Sequence, residues 1–189
     1  FCVEAIKCLY KPETGIIEDE LSDDQKKVKG IMAENAYQLL HAWREIPGKS
    51  GDMIDKKKLM DWISLARERA KQENRTNAVD TNIGTILAHA PRTDNDWPPE
   101  EICQIIDELN NKNVLSGFET QIFNSRGVTV RSPYAGGEQE RVLAAWFKNA
   151  ANRIISKYPI TASALYNLAK RYEKDAKDED NRAKLDELR

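Results

Sequence analysis

The sequence predicts an all-α fold, an irregular array of about seven to eight helices with no significant sheet. Three observations carry this. Apolar residues recur every three or four positions through most of the chain, the spacing that lines one face of a helix. The breaks between these runs are short and made of proline, glycine, asparagine and aspartate. The one β-like triplet, Val128-Thr129-Val130, is too short to establish a strand.

The first run, Phe1 to Tyr10, places Cys2, Ala5, Ile6 and Leu9 on one face, with Glu4 and Lys7 breaking any signal-peptide pattern. It reads as a helix already in progress, continued from a longer parent chain. After the acidic connector Glu13 to Glu20, Ser22 stands three residues ahead of Gln25, a capping box with Asp23 and Asp24 at the positive end of the helix dipole. The stripe that follows is Val28, Met32, Ala36, Leu39, Leu40, Trp43 and Ile46, stopped by Pro47-Gly48. A loop over 49–54 leads to Asp55, an N-cap for the helix carrying Leu59, Trp62, Ile63, Ala66 and Ala70.

Val79, Ile83, Ile86, Leu87 and Ala90 mark a shorter helix ended by Pro91. Gly84 within it costs ~1 kcal/mol of helix preference and lets a neighbouring backbone come close. Pro98-Pro99-Glu100-Glu101 signals a helix start, with Ile102, Ile105, Ile106 and Leu109 as its stripe. Beyond Asn110-Asn111, the period continues through Leu115, Phe118 and Ile122 to a stop at Gly127. Leu143, Trp146, Phe147, Ala150 and Ile154 form the next helix, broken at Tyr158-Pro159, and Ala162, Leu165, Leu168, Ala169 and Tyr172 the last. Residues 1–172 are expected to form a single domain with the tryptophans mostly in its core, and 173–189 a charged helical extension or linker. Trp43, Trp62, Trp97 and Trp146 recur at no fixed interval, which disfavours a regular repeat array.

Composition narrows the functional classes. The 29 Lys and Arg nearly balance the 31 Asp and Glu, so the basic excess typical of unspecific nucleic-acid binders is missing. No apolar run approaches the ~20 residues that span a bilayer, and no membrane association is expected. Cys2, Cys8 and Cys103 lack metal-ligand spacing and suit a reducing cytoplasm. Cys103, on an apolar helical face, reads as a buried inert thiol.

Gly117 to Trp146 contains the one place where the chain stays irregular, polar and arginine-bearing, for about ten residues, and it is the candidate site. Gly136-Gly137 ahead of a helix leaves N–H groups open to an anion, and Arg126, Arg131 and Arg141 could add charge-assisted bonds. Asn124, Ser125 and Glu138 complete the candidate set, although Glu138 and Glu140 would repel an anion. The plainer reading is a connection held by arginine bonds to carbonyls and by Tyr134 packing. For a metal, His89, Asp94 and Asp96 are weak candidates, because acids in a turn before a helix are ordinarily caps. No cofactor is expected, and neither a nucleophile elbow nor a catalytic base lies in reach of Ser125. The most basic region, Lys56 to Lys58 with Arg67, Arg69 and Arg75, lacks aromatic stacking partners for nucleic acid.

Several segments together resemble the C-terminal region of very large bacterial proteins of unknown function. They are Ala33 to Leu40 with Trp43-Arg44, Ile83-Gly84 with Leu87 to Pro91, Trp97-Pro98, Gly117-Phe118, Asn124 to Val128, Gly136-Gly137 with Glu140-Arg141, and Tyr172-Glu173 with Ala176. The resemblance implies a terminal region of a bacterial intracellular multidomain protein, and no catalytic residue comes with it. The leading expectation is a non-catalytic protein-binding or scaffolding domain, docking on the upstream part of its own chain or on another protein. The alternatives are an anion- or nucleic-acid-contacting module built on residues 124–141, and an enzyme with an unrecognised site.

Overall fold

Eight helices and one short hairpin make up the regular structure in a computed structural model that describes residues 2–14, 22–92, 97–127, 130, 132 and 135–187. In order these are α1 (Cys2–Leu9), α2 (Asp23–Ala42), β1 (Lys49–Ser50), β2 (Met53–Ile54), α3 (Lys56–Gln72), α4 (Thr76–Leu87), α5 (Glu100–Leu109), α6 (Lys112–Asn124), α7 (Glu138–Ile154) and α8 (Pro159–Glu187). This is the all-α array the periodicity predicts. Contacts cluster into two compact units. One unit comprises Phe1–Ala90 with Asn111–Phe118, the other Pro91–Asn110 with Glu119–Arg189.

In the first unit, α1 packs on α2, α3 and α4, and α3 packs on α4. Ile6, Leu59, Ile63, Val79, Ile83 and Leu87 fill its core. The capping box at α2 is present, with the Gln25 N–H donating to Ser22 Oγ at 3.3 Å and the Ser22 N–H to Gln25 Oε1 at 2.9 Å. Asp55 caps α3, accepting from the Lys58 N–H at 3.0 Å. Asp80 is buried on α4, where Arg67 Nε lies 2.9 Å from Oδ1 as an ion pair. Arg67 Nη2 and Asn111 Nδ2 donate to Oδ2 at 3.3 and 2.9 Å. Burial raises the Asp80 pKa, with Arg67 opposing. Asn111 Oδ1 also accepts from the N–H groups of Asn113 and Val114, which starts α6.

In the second unit, α8 packs along α7 and against α5. Its core includes Ile102, Ile105, Phe147, Leu165, Leu168 and Tyr172. Asp107 of α5 caps α8 from outside it, accepting from the N–H groups of Ile160 and Thr161 at 3.0 and 2.8 Å and from Thr161 Oγ1 at 2.6 Å. Pro159 at the helix start has no N–H to satisfy.

Three expectations need correction. Of the α2 stripe, Val28, Met32 and Leu39 are exposed and Ala36 is the buried member within the helix. The reason is length: α1 spans about 12 Å, and it cannot cover a helix of about 30 Å. The loop over 49–54 is an antiparallel hairpin pairing Lys49 with Ile54 and Ser50 with Met53, turned at Gly51 with φ +59°. The charged segment after Glu173 continues α8 as a helical extension, mostly exposed, with Ala176 and Ala183 turned inward. The tryptophans are not uniformly core: Trp97 is buried, Trp43 and Trp62 are half-buried, and Trp146 is 38% exposed. Val128 and Thr129 lie outside the described residues, and Val130 is exposed.

Candidate functional site

Helix α6 ends in a turn closed by Gly127, whose φ of +68° a residue with a side chain would adopt at a cost. That turn aims Arg126 at α7, where Nη2 meets Glu140 Oε1 at 2.5 Å. Glu140 is 1% exposed, so this is a buried ion pair. The guanidinium also lies 5.6 Å from the ring centre of Tyr172.

The start of α7 does attract an anion, and that anion is the Asp180 carboxylate. The Gly137 N–H donates to Asp180 Oδ1 at 2.9 Å, and Arg141 grips both carboxylate oxygens at 2.8 and 3.1 Å. These bonds hold the Asp180 pKa down at about 2, the Arg141 bond contributing most and the Gly137 N–H next. Glycine is required at 137, where a Cβ would stand 2.2 Å from the Ala176 carbonyl oxygen. The Gly-Gly signal thus marks a close helix approach. Asp180 went unnoticed in the sequence because nothing separates it from the other acids of its run.

The remaining candidates disperse. Asn124 and Glu138 are exposed. Ser125 Oγ donates to the Gln121 carbonyl at 2.7 Å, a local helix-end bond. Arg131 and Tyr134 lie outside the described residues, as do Asp94 and Asp96. His89 is half-buried, its pKa lowered first by burial and then by the Arg44 charge. Among the described residues no three His, Cys, Asp or Glu side chains converge to hold a metal. In the basic region, Arg67 holds Asp80, while Arg75 donates to the carbonyls of Tyr10 and Glu73.

Ser125 and Arg126 do reach one feature that the sequence did not reveal. A cleft of about 380 Å³ in the second unit is lined by both, and by Arg92, Trp97, Trp146 and Tyr172. Its wall is an aromatic ladder. Trp97 lies 5.7 Å from Trp146, Trp146 meets Phe147 edge-on at 4.9 Å, and Phe147 stacks on Tyr172 at 5.6 Å. Arg92 sits over both indoles, 5.4 Å from the Trp97 ring and 5.9 Å from the Trp146 ring.

Comparison with protein-family models, curated proteins and solved structures finds no match to this chain.

What the cleft can bind follows from its own side chains. Apolar walls with a few convergent polar groups are the usual composition of a small-ligand site, and the volume falls in that range. A second cavity of the same volume is lined by Trp97, Arg153 and Tyr158, and three of its polar side chains engage one another. There Glu100 accepts from Lys157 Nζ at 2.5 Å and from the Tyr158 hydroxyl at 2.9 Å.

Proposed function

We propose that the chain is a non-catalytic protein-binding domain of a larger bacterial cytoplasmic protein, offering the apolar face of α2 to an amphipathic helix. The helix would come from another protein or from elsewhere in the same parent chain. One observation carries this. Val28, Ile31, Met32 and Leu39 recur on one side of a twenty-residue helix and are between 42% and 64% exposed. Single exposed apolar residues need no explanation, whereas a stripe of them at helical spacing is the pattern of a docking helix. At its C-terminal end, Leu39, Ala42 and Trp43 line an open groove with Arg44 and Glu45 at the rim. Covering each large side chain of the stripe would yield roughly 1 kcal/mol or more.

The anion- or nucleic-acid-contacting alternative has less support, because Arg126 and Arg141 already hold Glu140 and Asp180. Bacterial origin rests on the sequence resemblance, and a cytoplasmic setting on three cysteines outside any disulfide.

The test is selection of amphipathic helical peptides from a displayed library against the wild-type chain and against an Ile31→Glu/Met32→Glu double variant. Selected peptides should carry apolar residues at helical spacing and lose at least about tenfold in affinity on the variant. No enrichment, or equal binding to both proteins, would overturn the reading.

A further inference from the structure

We infer that the cleft between Trp97, Trp146 and Tyr172 is a binding site for a small aromatic monocarboxylate. The inference is independent of the α2 reading, since it concerns other residues in the other unit.

Flat walls come first. Trp146 is 38% exposed and backed by the buried Trp97 and Phe147, so a planar ring entering the cleft meets the open part of the Trp146 indole. The charge comes from Arg92. Its guanidinium is held over the two indoles and exposed, and among the described residues no carboxylate pairs with it. A guanidinium held this way keeps its hydrogen-bonding edge available for a carboxylate. Arg126 also lines the cleft, with Nη2 given to Glu140.

Charge arithmetic selects the class of anion. Arg126 is paired with Glu140, so among the described residues that line the cleft Arg92 is the positive group left exposed. One carboxylate matches it, whereas a nucleotide phosphate brings a second negative charge close to Glu140. The volume of about 380 Å³ suits a one- or two-ring molecule.

The four tryptophans supply the assay. In the nitrogen-15-labelled full chain, indole-3-acetate should shift the indole N–H signals of Trp97 and Trp146 saturably. Those of Trp43 and Trp62, in the other unit, should stay in place as internal controls. Indole-3-acetamide, which keeps the ring and loses the charge, should bind at least about tenfold more weakly, and so should AMP. Arg92→Gln should weaken indole-3-acetate by a similar factor, and because Arg92 is exposed the variant should fold normally. Equal binding of the acid and the amide would overturn the proposal without reliance on any variant. So would uniform movement of all four indoles, tighter binding of AMP, full binding to Arg92→Gln, or no saturable shift up to about 10 mM.

Discussion

Gly84 of α4 and Gly117 of α6 form the two halves of one backbone-to-backbone contact. A Cβ on Gly84 would stand 1.9 Å from the Val114 carbonyl oxygen, and one on Gly117 would stand 1.9 Å from the Thr81 carbonyl oxygen. Each helix therefore presses its main chain into the notch that the other's glycine leaves open. The intrinsic cost of glycine in a helix, about 1 kcal/mol, is offset by packing that no larger residue permits.

Gly84→Ala and Gly117→Ala should each lower stability by a net ~1–3 kcal/mol, because the obstacle is main chain and cannot rotate away. Gly30→Ala on α2 is the matched control. Nothing lies within 4 Å of its Cβ position, so it should raise stability by up to ~1 kcal/mol. Urea unfolding midpoints of the three variants check the contrast.

Arg126→Met should cost about 3–5 kcal/mol, since it removes the arginine facing a carboxylate that is 1% exposed. The double variant Arg126→Met/Glu140→Leu should recover at least half of that loss. A double-mutant cycle by urea denaturation measures the coupling. Additive losses would mean that the pair does not hold α6 to α7.

Asp180 should make the α7–α8 contact acid-sensitive. Its folded-state pKa of about 2 lies below the ~3.9 of an unfolded aspartate. The contribution is therefore complete above about pH 4 and is lost as pH falls toward 2. Stability measured between pH 5 and pH 2.5 should fall in the wild type and fall less steeply in Asp180→Asn. The Gly137 amide resonance should titrate over the same range.

Ile31→Lys and Met32→Lys should leave stability within ~0.5 kcal/mol of the wild type, because both side chains are largely exposed. Leu165→Ala, at a fully buried position of the second unit, should cost ~2–5 kcal/mol. A large loss at Ile31 would place α2 within a core and remove it as a docking surface.

The three thiols should separate by reactivity. Burial raises the pKa of Cys2 to about 11 and that of Cys103 to about 12, so both should resist a disulfide reagent until the chain unfolds. Cys8 is half-exposed and should react in the native state. Counting the thiols titrated before and after denaturation checks this.

Local chemistry by itself determined the helices. Ser22 with Gln25, Asp55, Pro91 and Gly127 set helix ends through bonds and dihedral limits that involve near neighbours in the chain, and such signals survive in one dimension. Gly84 also pointed to a close approach, because a glycine inside a helix leaves room for a neighbouring backbone. Tertiary structure decided which apolar faces were covered. The α2 stripe has the same period as the buried ones, and it stays open because α1 is too short to cover it. Tertiary structure likewise chose partners across long gaps: Asp180 for Gly137 and Arg141, and Trp146 for Arg92. Periodicity reports which side of a helix is apolar. It carries no information about what arrives to meet that side.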